Sequence, residues 1–160
     1  MKILSIDPSI ANIGWCLFFD NKPLESGTIH LSPEITQFER AVLISEKIRQ
    51  LFLDKGINLY TSSQIVIETP DNWTRQGKNV GDLLKLMLAI GSIIGTANSL
   101  SVKVNTISVS QWKNTKSKID KSIFEKIYPH LKRTSEHARD AVGLGEYWIR
   151  QQKLIERQAL

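Results

Sequence analysis

Apolar positions open the chain in short extended runs. Lys2-Ile-Leu-Ser-Ile-Asp7 is an apolar segment that stops at a carboxylate and turns through Pro8 and Ser9. Ile13-Gly-Trp-Cys-Leu17 then runs back, which predicts a pair of antiparallel strands over about 2–7 and 13–19. Asp20-Asn-Lys-Pro23 is a turn signal, and Leu24 to Leu31 completes a three-stranded meander closed by Ser32-Pro33. From about Thr36 to Lys55 the pattern changes to helical spacing. Phe38, Ala41, Val42, Ile48, Leu51 and Phe52 mark one face, Glu39, Arg40, Glu46, Lys47, Arg49 and Gln50 fill the other, and Gly56 ends the helix.

The second half alternates strands and helices. Ile65-Val-Ile67 is a continuous apolar run of the kind found in strands covered on both faces, and it ends at Glu68-Thr-Pro70. A polar loop from Asp71 to Asn79 leads to a helix over Val80 to Ser99 that is apolar nearly all round. Such a helix lies in the core or at a subunit interface, and Gly91, Gly95 and Ala97 would let another element approach closely. Val102 to Ile107 predicts a fifth strand. Helices are expected over Ser117 to Tyr128, stopped by Pro129, and from Ser135, the expected N-cap, to about Arg157. The order predicts a single α/β domain over 1–160. Its mixed five-stranded sheet has three antiparallel strands and then two parallel ones, with the first strand central.

Composition narrows the classes. At 160 residues the chain can bury a core of ordinary size. The longest apolar stretch, Leu83 to Ala97, is interrupted by Lys85, Gly91, Ser92 and Gly95, short of the roughly 18–20 unbroken residues of a membrane span. No membrane partner is therefore expected. Acid and turn residues arrive by position 7, unlike a signal peptide, and the one cysteine, Cys16, cannot form an internal disulfide. A cytoplasmic location is the expectation, with Cys16 and the tryptophans Trp112 and Trp148 as core. The net charge is +5, from 21 basic and 16 acidic residues. Its placement matters more than its size: from Lys103 to Arg133 there are eight Lys or Arg and two acids, Asp120 and Glu125, the footprint of a polyanionic partner.

The chemistry is carried by acids. Asp7 and Glu68 each end an apolar strand, where a carboxylate is costly unless it is paired or bound to a cation. His137 and Asp140 stand at i and i+3 on the last helix and can share one face. Taken singly, a strand-end Asp is a common turn former and a His-x-x-Asp pair a common surface feature. Taken together, four oxygen and imidazole donors around one point suit Mg²⁺ or Mn²⁺, and two such ions serve phosphodiester hydrolysis. Zinc fits less well, with no thiolate pair.

These segments resemble the RuvC-type Holliday junction resolvases, particularly the short phage members, within the RNase H-like superfamily. The resemblance is carried by Ile3-Leu-Ser-Ile-Asp7-Pro8-Ser9 with Gly14-Trp15, by Ile65-Val-Ile67-Glu68, by His137-x-x-Asp140-Ala141, and by the long apolar helix after the Glu strand. It implies an RNase H-like sheet flanked by helices. It also implies a Mg²⁺-dependent endonuclease with two ions per site, held by Asp7, Glu68, His137 and Asp140. Many members carry an aspartate where His137 stands, and the histidine could instead act on the attacking water. The resemblance further implies a homodimer through the helix around 80–99 that nicks a four-way junction symmetrically. Lys113, Lys116, Lys118 and Lys121 would grip phosphates, and Trp73, in the basic loop with Arg75 and Lys78, would sit near the junction centre. A broader flap or fork nuclease and a non-catalytic branched-DNA-binding protein are the alternatives. An actin-like nucleotide-binding domain needs a second Gly-rich phosphate loop that the sequence lacks.

Overall fold

The computed structural model describes residues 1–58, 62–71, 80–113, 121–131 and 134–159. Five strands form one sheet: β1 (Lys2–Asp7), β2 (Asn12–Phe19), β3 (Lys22–His30), β4 (Ser63–Thr69) and β5 (Lys103–Ser108). Their order is β3-β2-β1-β4-β5, so the opening strand is central, as expected. The β1–β2 and β2–β3 pairs are antiparallel, and β1–β4 and β4–β5 are parallel. The β2–β3 hairpin closes at Asp20 and Asn21, both with positive φ. That two-residue turn matches strand twist and starts β3 at Lys22, two residues before the predicted Leu24.

Helix α1 (Gln37–Lys55) and helix α2 (Val80–Ser99) cover one face of the sheet. Helix α5 (Glu136–Gln158) covers the other, with the short helices α3 (Val109–Lys113) and α4 (Lys121–Ile127). The side chains of β1 alternate accordingly: Leu4 and Ile6 enter the α1/α2 core, while Ile3 joins Cys16, Phe18, Val66 and Ala141 under α5. Trp112 is fully buried in this second core, and Trp148 packs at its edge, half-buried.

Helix α1 departs from the predicted faces. Thr36 and Glu39 form a reciprocal N-terminal cap and Gly56 closes the helix in the left-handed conformation. Its buried stripe, however, is Arg40, Ile44, Ile48, Leu51 and Phe52, whereas Phe38 is 82% exposed and Val42 lies outside as well. Arg40 can be buried because its guanidinium donates to the carbonyls of Ile10 (2.8 Å) and Ser32 (2.9 Å). It thereby ties the β1–β2 turn and the β3–α1 connection to one helix.

Helix α2 is long and apolar enough, by length and composition, to cross a bilayer. Ala89, Ile90, Ile93, Thr96 and Ala97 bury one face of it against α1 and the sheet. Ala97 thus faces inward. Leu84, Leu88, Gly91 and Gly95 form an outward stripe. The expected helix over Ser117 to Tyr128 is seen as Lys121–Ile127, its earlier part lying outside the described residues.

Candidate functional site

The parallel register of β1 and β4 places Ile6 beside Ile67, so the next step along both strands brings Asp7 level with Glu68. Neighbouring strands lie about 4.8 Å apart. Both carboxylates point to the α5 side, because they follow Ser5 and Val66 by two residues. Asp7 is 4% exposed and Glu68 8%, unusual burial for acids.

The N-terminal turn of α5 is laid directly over this sheet edge. Ser135 caps the helix, accepting from the Ala138 N–H at 3.1 Å, and its hydroxyl also hydrogen-bonds Thr28 of β3. Ser5, buried in mid-strand, donates to the Ala141 carbonyl at 2.6 Å and pins the second turn of α5 to β1. Gly14 permits the approach: a Cβ there would stand 2.1 Å from the His137 carbonyl oxygen. The positive end of the α5 dipole consequently faces Asp7 and Glu68.

His137 and Asp140 both reach the strand tips, as their i, i+3 spacing predicts. His137 donates from Nδ1 to Asp7 Oδ2 at 2.8 Å. That hydrogen bond raises the imidazole pKa above its ordinary value, against burial and with help from the charges of Asp7, Asp140 and Glu136. Asp140 Oδ2 lies 3.1 Å from the ammonium of Lys113.

Two groups at the site were not legible as such. Strand β5 ends beside Glu68, pairing Ile107 with it, and the chain then turns into α3. Asp71, just past β4, accepts from the Ser110 N–H (2.9 Å) and hydroxyl (2.6 Å), fixing the start of this short helix. Trp112 is thereby held with its indole N–H donating to Glu68 Oε2 at 2.7 Å. Lys113, expected among the phosphate-gripping lysines, instead sits between Glu68 Oε2 (3.2 Å) and Asp140 Oδ2 (3.1 Å). The available signal was the Trp112-Lys113 pair closing the short segment that follows the strand beside the Glu68 strand. Burial and then the charge of Asp7 push the Glu68 pKa up, while Lys113 and the indole pull the other way. For Lys113, burial lowers the pKa, but Glu68, Asp140 and Asp7 outweigh it and raise it.

The four predicted donors thus gather at one end of β1 and β4, in two arrangements: Asp7 with His137, and Glu68 with Asp140 across Lys113. Among the described residues, no three acid, imidazole or thiol groups are drawn tightly enough to clasp an ion as they stand. The donor set nevertheless suits a hard divalent cation, since it is three carboxylates with one imidazole, and a cation already lies between two of the carboxylates. Of the expected DNA-contacting residues, Lys121 is exposed at the start of α4. Trp73, Arg75, Lys78, Lys116 and Lys118 lie outside the described residues.

No protein-family model and no curated protein matches the chain. Solved structures do. Thermus thermophilus RuvC in complex with a Holliday junction substrate is 19% identical with a TM-score of 0.70, over 94% of this chain and 96% of that one. Another Thermus thermophilus RuvC structure gives 18% and 0.67, over 95% and 97%. The yeast mitochondrial Holliday junction resolvase gives 13% and 0.67, over 97% of this chain and 80% of its own. At such identities the likeness is one of fold, and it extends along almost the whole chain. The protein has the RNase H-like fold of the RuvC-type resolvases, with its gathered carboxylates at the tips of the two central strands.

Proposed function

We propose that this chain is a divalent-metal-dependent endonuclease that resolves Holliday junctions by paired, symmetric nicks. One observation carries the proposal: Asp7, Glu68, His137 and Asp140, up to 133 positions apart, meet at one sheet edge beneath the N-terminus of α5. The full-length likeness in fold to a RuvC solved with a junction substrate supports the choice of branched DNA.

Asp7, Glu68 and Asp140 would hold Mg²⁺, with Mn²⁺ as a substitute. Bound there, the metal would supply Lewis-acid stabilisation of charge on the scissile phosphate and acidify a water. The chain's own residues do the rest. Trp112 fixes the Glu68 carboxylate by its indole hydrogen bond, and Ser5 and Ser135 hold the α5 turn that presents Asp140 and His137. His137, paired to Asp7, would take a proton from a water at the same edge. The exposed Lys121 and Lys126 of α4 extend the basic segment along which phosphates would lie.

A second copy would dock on α2, whose outward stripe of Leu84, Leu88, Gly91 and Gly95 is unusually apolar for a water-facing surface. Two sites facing opposite strands would then produce symmetric cuts.

The deciding experiment is incubation of purified protein with a synthetic four-way junction, with and without Mg²⁺, alongside flaps and forks. Symmetric nicking that needs the metal is expected. Asp7→Asn should abolish cleavage, by at least about 10³-fold, while gel-shift binding of the junction persists. No cleavage of any branched DNA by wild-type protein in Mg²⁺ or Mn²⁺ would leave a binding protein instead.

A further inference from the structure

We infer that Lys113 is a resident counter-cation, whose ammonium holds Glu68 and Asp140 in the metal-free protein and must withdraw when a divalent ion enters. The inference rests on the metal-dependent reading above and adds a residue that competes with the metal.

Its basis is geometric. One nitrogen lies 3.2 Å from a Glu68 oxygen on β4 and 3.1 Å from an Asp140 oxygen on α5. The two carboxylate side chains are 10% and 13% exposed, so this is not a water-screened surface pair. Desolvated acids that share one small volume with Asp7 repel each other, and a cation between them removes that repulsion. The Lys113 side chain thereby joins the strand and the helix across the site.

The same geometry makes Lys113 removable. Its backbone is anchored, since the neighbouring Trp112 is fully buried and Asp71 secures the start of α3. Its side chain is 27% exposed, which gives the ammonium a route to solvent by rotation about its own stem. The Trp112 ring, 5.0 Å from Nζ, offers a face along which it can move. A flexible stem ending in a point charge suits withdrawal in a way that a rigid guanidinium fork does not. A divalent ion and the ammonium cannot share the same oxygens without mutual repulsion. Metal affinity is therefore reduced by the fraction of molecules in which the lysine is still home.

The test uses whole protein without DNA. Thermal melts in chelator and calorimetric titration with Mg²⁺ are compared for wild type, Lys113→Gln and Lys113→Arg. Lys113→Gln should melt lower without metal, bind Mg²⁺ roughly threefold to tenfold more tightly, and regain the wild-type melting temperature at saturating Mg²⁺. Lys113→Arg should keep metal-free stability and bind Mg²⁺ more weakly than wild type. A residue that merely supports the fold would lower stability and metal affinity together. Unchanged or weaker Mg²⁺ binding in Lys113→Gln overturns the exchange while leaving the nuclease reading intact. If Lys113→Gln does not fold, Lys113→Arg binding Mg²⁺ as tightly as wild type overturns it. Wild-type protein that binds neither Mg²⁺ nor Mn²⁺ overturns both.

Discussion

Gly14 sets the tolerance of the site more sharply than any acid in it. Its Cα hydrogen faces the α5 backbone where a methyl would collide with the carbonyl of His137 and the amide of Ala138. Backbone cannot rotate aside as a side chain can. Gly14→Ala should therefore cost about 3 kcal/mol, the upper end of ordinary overpacking, and lift α5 from the sheet. Thermal denaturation would show the loss, and metal titration should weaken in parallel because Asp140 and His137 ride on the displaced turn. At this scale the acids were legible because their class is wrong for their setting: Asp7 and Glu68 interrupt apolar strands. Trp112 and Lys113 were not. Burial explains a tryptophan equally well without a polar partner, and a lysine in a basic stretch gives no sign of turning inward. Ser5 was equally silent, since its partner lies 136 positions away.

Among the elements, α5 depends on how it starts. Ser135 satisfies an otherwise orphaned helix N–H and also bonds Thr28, so it both begins the helix and ties it to β3. Ser135→Ala should lower stability by about 1–2 kcal/mol. Ser135→Thr should restore most of it, read by chemical denaturation of both variants. Periodicity predicted this helix within a residue at each end, because cap and amphipathic stripe agree. It predicted α1's extent equally well yet misjudged its faces. Hydrophobicity alone puts Phe38 inside and Arg40 outside, while two backbone carbonyls from separate loops reverse that order. Such carbonyls carry no residue signature, so the reversal could not be read from side-chain types.

For the molecule as a whole, the central place of the first strand follows from connection rules once the strands are placed, because crossovers return beside it. The nearly all-apolar α2 reads from sequence as core or interface; one face is buried in the core, and the other carries an exposed apolar stripe. Its outward stripe predicts a self-associating surface. Leu84→Glu with Leu88→Glu should convert a dimer to monomer in light scattering at micromolar protein, since a charge pair on each copy would be desolvated at the contact. Paired nicks should then become independent single nicks on a cruciform plasmid. A wild-type chain that is monomeric at these concentrations would count against this assignment of α2.

The pinning of Ala141 to Ser5 has a consequence for how such a protein is made. A nascent chain leaving the ribosome completes its meander early, yet holds only half of the acidic cluster until α5 has cleared the exit tunnel. Synthesis itself thus sets the order of assembly: an unfinished polypeptide has not yet brought Asp140 and His137 to Asp7 and Glu68.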